Sequence, residues 1–145
     1  MDRRLIVTVA FMTHLLGGGM LAIAQSTAGV NFTEGQLEFL VLVGYGGPLI
    51  AMGLIWLKNY AYGAPLLFGT AAANGWFVIY FFLIHDNPTN VGAVSGAGSG
   101  AYLYATIAVI VGSLVTAVAS LWLWYGTSEG FRTAVDDLVR PSETE

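Results

Sequence analysis

The chain contains no cysteine, and only 10% of its residues are charged. The absence of cysteine excludes disulfides, thiolate metal ligands, iron–sulfur clusters and cysteine nucleophiles. Soluble domains carry about 25% charged residues, so a content this low is too small to cover a water-exposed surface. Hydrophobic residues make up 56% of the chain, and the mean hydropathy is +0.70. Most of the surface is therefore expected to face lipid or other protein.

The sequence also lacks the short motifs that mark common active sites. It contains no P-loop, no glycine-rich dinucleotide-binding turn, no H-E-x-x-H and no G-x-S-x-G. Its two histidines, His14 and His85, are too few for a three-histidine metal site. We therefore assign no catalytic residue and no metal ligand, and the sequence favours a protein that is not an enzyme.

Four continuous apolar segments account for most of the 145 residues. Each is close to the ~20 residues that an α-helix needs to cross a bilayer core. Because lipid offers the backbone no hydrogen bonds, these segments are expected to be helices. The predicted helices are 5–24, 37–57, 61–84 and 101–125. We predict an all-α membrane protein, a four-transmembrane-helix bundle formed by residues 1–127.

The basic residues all fall on one side of these four crossings. The loops 25–36 and 85–100 contain neither lysine nor arginine. Since positively charged loops stay in the cytoplasm, the topology is predicted to be N-in/C-in in the cell membrane, with both termini cytoplasmic. The basic residues are Arg3, Arg4, Lys58, Arg132 and Arg140.

An alternative concerns the first segment, which resembles a signal peptide. Met1 to Arg4 precede an apolar run that ends in Ala22-Ile23-Ala24, a sequence like a cleavage site. The run is longer than the usual 7–15 residues of such a peptide, and His14 and a glycine triplet interrupt it. We favour a retained first helix; cleavage would leave three crossings.

Two polar regions flank the last helix. Loop 86–100 is rich in glycine, serine and alanine, which predicts a flexible connection. Residues 128–145 are predicted to form a cytoplasmic amphipathic tail, in which Ser128 caps a short helix that Pro141 ends. We expect this helix to lie along the membrane surface rather than to dock a partner. The tail is acidic, which argues against nucleic-acid binding: Asp136, Asp137, Glu143 and Glu145.

No charged side chain lies deep within a predicted helix, which argues against a carboxylate proton relay. The deep polar residues instead fall at one depth in all four helices. They suggest a pocket for a quinone, haem or polyene, although the cofactor is unknown. His14 is its natural anchor, because imidazole ligates iron or donates a hydrogen bond. The candidate cofactor-binding residues are His14, Tyr45, Asn74 and Trp76.

The same layer is also typical of simple helix packing, which we favour over a pocket. Membrane helices associate through small residues and interhelical hydrogen bonds. Small residues recur at four-residue spacing in the second, third and fourth segments, and Pro48 is expected to kink the second. The candidate packing residues are Gly47, Ala51, Ala71, Gly75, Ala108, Gly112, Thr116 and Ser120.

Three functions remain open from the sequence. The leading hypothesis is a small integral membrane subunit that packs with itself or with a larger membrane complex. Its expected partners are the lipid bilayer and either other membrane subunits or a homo-oligomer. One alternative is a cofactor- or quinone-binding electron-transfer subunit centred on His14. The other is a small transporter or channel gated at the Gly/Pro-rich second helix.

Overall fold

The computed structural model describes residues 2–140, so the predicted helix stop at Pro141 and the acidic Glu143 and Glu145 lie outside the described residues. Within this range the chain is helical and forms no strand, which confirms the all-α prediction. Four helices are long and apolar enough to cross a membrane. The helices are α1 (Arg3–Thr27), α2 (Glu34–Trp56), α3 (Tyr60–Ile84), α4 (Ser99–Thr127) and α5 (Glu129–Val139).

Polar side chains cap three of these helices, which sets where each begins. The Asp2 carboxylate accepts the backbone N–H of Arg4 at the start of α1. Thr33 and Gln36 form a capping box at the start of α2, and Ser128 caps α5. These oxygens satisfy N–H groups that the first helical turn leaves without partners. The predicted cap at Ser128 is confirmed.

The four long helices pack in a definite order, α1 along α4, α4 along α3 and α3 along α2. Their interior contains two apolar clusters at opposite ends of the bundle. One includes Leu21, Val78 and Tyr102, and the other includes Val7 and Leu67. The deep polar residues of the four helices lie between the two clusters, where they form a polar layer.

The first half of loop 86–100 is not the loose connection that its composition predicts. The Asn87 side chain donates hydrogen bonds to the carbonyls of Phe81 (2.7 Å) and His85 (2.8 Å). Thr89 is only 2% exposed, and its carbonyl accepts the Tyr102 hydroxyl at 2.7 Å. Composition missed this order because the bonds depend on residues of α3 and α4, outside the loop.

Helix α5 packs back onto the end of α4. The ring of Phe131 stacks on Trp124, with centroids 4.0 Å apart and planes 5° from parallel. The Tyr125 hydroxyl donates to the Asp136 carboxylate at 2.7 Å. Leu138 remains 83% exposed, so part of the apolar face of α5 is uncovered within the chain.

Candidate functional site

A hydrogen-bonded chain of three side chains and one carbonyl joins all four long helices at mid-height. His14 of α1 is fully buried, and its Nδ1 lies 3.1 Å from the hydroxyl oxygen of Ser113 in α4. Its Nε2 lies 2.5 Å from the carbonyl oxygen of Gly44 in α2. Asn74 of α3 donates from Nδ2 to the Ser113 hydroxyl at 3.0 Å. The predicted deep layer therefore includes a single connected network.

The hydrogen-bonding capacity of each partner assigns the bond directions for a neutral imidazole. The Gly44 carbonyl can only accept, so Nε2 of His14 must carry the proton. Nδ1 of a neutral imidazole is then an acceptor, and the Ser113 hydroxyl donates to it. The Ser113 oxygen in turn accepts from Asn74. For a neutral His14 the hydrogen bonds therefore run in one direction, from Asn74 through Ser113 and His14 to Gly44.

The backbone of α2 makes the Gly44 carbonyl available to His14. In an α-helix this carbonyl would accept the N–H of residue 48, but Pro48 has none. The turns before this proline, Leu40–Gly46, are π-helical. A Cβ at Gly44 would lie 2.6 Å from Oδ1 of Asn74, so glycine also permits the close approach of α3. In the sequence, a proline four residues after a glycine in the middle of an apolar segment indicates a carbonyl that has no α-helical donor.

One acceptor of the layer is unsatisfied within residues 2–140. Oδ1 of Asn74 is buried without a hydrogen-bond donor. It packs against Gly44 instead. Reversing the amide would turn a donor toward Gly44 but would also remove the donor that Ser113 now uses. The observed orientation satisfies both ring nitrogens of His14, which is why we assign it.

Two aromatic rings pack against the His14 imidazole. Phe11 stacks on it with centroids 6.0 Å apart, and the Tyr45 ring lies 5.4 Å away. The Tyr45 hydroxyl occupies the space beside Gly18, where any Cβ would overlap it. The structure therefore places His14, Tyr45 and Asn74 in one closely packed cluster.

Trp76, the fourth candidate pocket residue, does not join this cluster. Its side chain is 63% exposed on the outer surface of α3. Consecutive residues of an α-helix point about 100° apart, since there are 3.6 residues per turn. With Asn74 and Gly75 both facing the interior, Trp76 has to point outward.

The candidate packing residues all lie buried or half-buried within this chain. A Cβ at Gly112 would be 2.7 Å from the carbonyl oxygen of Thr13, so α1 and α4 touch there through backbone atoms. Thr116 donates to the Ala10 carbonyl at 3.0 Å. Fully buried with them are Ala51, Ala71 and Ser120, while Gly75 is buried, and Gly47 and Ala108 are half-buried. These contacts hold the four helices of one molecule together.

The chemistry open to this layer is limited by its hydrogen bonds. Both ring nitrogens of His14 already have protein partners, so an iron ligand there would first have to break one of these bonds. No group of three or more metal-ligating side chains occurs among residues 2–140. In this conformation the layer joins the four long helices through hydrogen bonds.

The fold and the layer define a coarse class, a small four-helix bundle compatible with a membrane protein. Comparison with protein-family models, curated proteins and solved structures finds no match to this chain.

Proposed function

We propose that the chain is a small integral membrane protein of four crossings that packs, as a subunit, with itself or with a larger membrane complex. In this proposal both termini are cytoplasmic. The contacts that hold the subunit together are internal, and the outer face of α3 is the surface that meets the partner.

The outer surface of the bundle supports insertion into a bilayer. Large apolar side chains point outward from all four long helices and are more than half exposed, among them Leu16, Leu42, Tyr62 and Val118. Contiguous apolar surface of this kind is rare on soluble monomers. The basic residues are all at the end of the bundle that carries the two termini and the α2–α3 turn, which supports a cytoplasmic assignment for that end.

The observation that carries the proposal is a regular seam on the outside of α3. Its residues recur at alternating spacings of four and three, the pattern of a helix–helix interface. Gly69 lies at the centre, and a Cβ there would meet nothing within 4 Å, so no contact inside the chain requires a glycine. In lipid, small residues let a second helix approach closely. The α3 seam consists of Tyr62, Leu66, Gly69, Ala73, Trp76 and Tyr80.

Cysteine crosslinking in bilayers tests self-association directly, because the chain has no cysteine of its own. Ala73→Cys puts one thiol on the α3 seam, and Ala22→Cys puts one on the exposed outer face of α1 as a control. We expect an oxidised dimer with Ala73→Cys at well above the Ala22→Cys level. Equal crosslinking at the two positions would refute packing of two copies through the α3 seam.

A bulky substitution tests whether the α3 seam contacts a partner, whether that partner is a second copy or a different protein. The wild-type protein is purified from its own membrane together with its partners. Gly69→Leu should release the subunit from this assembly. Gly53→Leu is the matched control, since Gly53 also faces outward with nothing within 4 Å of a Cβ. If the mass of the assembly in mild detergent is the same for both variants, the α3 seam is not the interface.

A small transporter gated at α2 is a second candidate, favoured by the π-helical turns that end one residue before Gly47-Pro48. Such turns recur at functional sites and mark a deformable stretch of helix. Solute flux into liposomes that is lost with Gly46→Leu would support it.

The electron-transfer alternative centred on His14 gains no support from a ring whose two nitrogens are both hydrogen-bonded. A visible absorption band that is lost with His14→Ala would support a cofactor bound at His14.

A further inference from the structure

Two apolar grooves lie on either side of Trp122, near the end of α4. The larger has a volume of about 670 Å³ and runs between α1 and α4. The smaller, about 280 Å³, runs between α4 and α5. Both are lined by Val118 and Trp122, so the two grooves diverge from one point. Both grooves are apolar and open to the outside, and they share the Trp122 side chain.

Small side chains contribute to the lining of the larger groove. Ala10 and Thr13 of α1 and Ala119 of α4 leave the depth that larger residues would fill. The Thr13 hydroxyl donates to the Ala10 carbonyl at 2.6 Å, so its hydrogen-bond donor is used within α1. The groove is therefore apolar along its length and open to the surrounding bilayer.

Two arginine side chains converge where the grooves meet. The Arg3 guanidinium lies 5.3 Å above the Trp122 ring and packs directly against Gly126, where a Cβ would overlap it. Arg132 donates from its guanidinium to the carbonyls of Tyr125 at 3.3 Å and Gly126 at 3.4 Å. Within residues 2–140 neither side chain forms an ion pair with a carboxylate, whereas Arg4 pairs with Asp2 at 2.6 Å. The charges of Arg3 and Arg132 are thus available to an external anion.

We propose that this end of the bundle binds one anionic phospholipid, with its two acyl chains in the two grooves and its headgroup phosphate between Arg3 and Arg132. A guanidinium matches a phosphate through paired N–H donors. Anionic lipids are concentrated in the cytoplasmic leaflet, which is the side the basic residues face in the proposed topology. Two apolar grooves and two arginines that form no ion pair among residues 2–140 occur together at Trp122. Asp136 is the nearby carboxylate, and it is hydrogen-bonded to the Tyr125 hydroxyl.

A lipid fits this surface better than a second copy of the chain does. In a two-fold dimer the same patch meets itself, so two pairs of arginines without carboxylate partners would face each other. Like charges brought together in this way oppose association. The α3 seam lies on a different helix, so the lipid site and the proposed interface do not compete for the same residues.

Native mass spectrometry of the full-length protein tests the proposal by counting retained lipids. Phosphatidylglycerol and phosphatidylcholine with identical acyl chains are added to the detergent-purified protein. We expect phosphatidylglycerol to be retained preferentially and Arg3→Gln and Arg132→Gln each to weaken its binding about five-fold, from the ~1 kcal/mol that a basic residue contributes at an anionic surface. The double variant is expected to bind about 25-fold more weakly on the same basis.

Arg4→Gln is the matched control for charge. Arg4 sits one residue from Arg3 and likewise lies over an indole, 4.9 Å from the ring of Trp56, but it is paired with Asp2. Its loss should leave lipid retention unchanged. Equal retention of the two lipids by the wild-type protein, or an Arg4→Gln effect as large as that of the double variant, would overturn the proposal.

Ala119→Phe fills the larger groove without touching the charges, and Ala22→Phe adds the same ring on the outer face of α1. Only Ala119→Phe should reduce phosphatidylglycerol retention; equal effects of the two variants would show that no acyl chain binds in the larger groove.

The inference rests on the proposed membrane insertion but not on self-association. Copy number and bound lipid appear as separate mass differences, so a monomer that retains the lipid would sustain this inference while refuting a homo-oligomer.

Discussion

His14 donates its Nε2 proton to the carbonyl oxygen of Gly44, the acceptor for which Pro48 cannot supply an α-helical N–H. A side chain of α1 thus takes the place of a backbone donor in α2. A buried carbonyl without a partner costs about 1–3 kcal/mol, so the two residues are coupled through one bond. The bond also orients the imidazole for Ser113.

A double-mutant cycle between His14 and Pro48 should reveal this coupling. Pro48→Ala restores an N–H that can reach the Gly44 carbonyl, so His14→Leu should cost less in that background than in the wild type. We expect an interaction energy of about 0.5–3 kcal/mol. Unfolding in mixed anionic and non-ionic micelles measures each corner of the cycle. Strictly additive free energies would show that His14 does not substitute for the missing donor.

The direction of the network predicts one tautomer of His14. Nitrogen-15 spectra of the labelled protein should show a protonated Nε2 and an unprotonated Nδ1, since Ser113 donates to the latter. His85, exposed just after α3, contributes the only other pair of ring-nitrogen signals, so the signals can be assigned with a His85→Gln variant. A protonated Nδ1 at neutral pH would mean that His14 donates to Ser113, which would contradict the direction assigned to that bond.

Ser113→Ala should be the most disruptive small substitution in the layer. It removes the donor to His14 and the acceptor of Asn74 at once, leaving two buried groups unpaired. We expect a loss of about 1–3 kcal/mol in the free energy of unfolding. Ser120→Ala is the control, because its hydroxyl, equally buried, bonds only to Ala117 in the same helix. Equal losses would mean that the interhelical bonds carry no special weight.

Two glycine-to-alanine substitutions in and near the α1–α4 contact should have opposite signs. In Gly112→Ala the new Cβ would meet backbone atoms of Thr13 and His14 at 2.7–2.9 Å, so α1 must shift. Overpacking of this kind costs about 1–3 kcal/mol. Gly19→Ala meets nothing within 4 Å and should stabilise its helix by about 0.5–1 kcal/mol. The same unfolding measurement reports both; destabilisation by Gly19→Ala would contradict the outward position of that residue.

Much of the layer was visible in the sequence as a shared depth. His14, Asn74 and Ser113 are each near the middle of an apolar segment, and helices that cross the same bilayer bring their midpoints level. The outward position of Trp76 was not visible. An apolar helix in lipid is hydrophobic on every side, so it carries little of the polar-against-apolar pattern that tells inward from outward in a soluble helix.

The loop after α3 and the site at Trp122 depended on contacts between distant parts of the chain. Thr89 is buried through Gln36 and Tyr102, which are 53 and 13 residues away. Arg3 reaches Gly126 only because α1 and α4 run side by side. Composition describes neither relationship, since each arises from the order in which the helices pack.

The sequence alone determined that the chain is helical and forms four long apolar helices, because length and hydropathy are local properties of each segment. The tertiary structure decided how each helix is rotated. That rotation turned His14 toward Ser113 and Gly44, directed Gly69 and Trp76 outward, and brought Arg3 and Arg132 together at Gly126. Close packing of small residues sets these rotations, and such packing exists only once the helices are in contact.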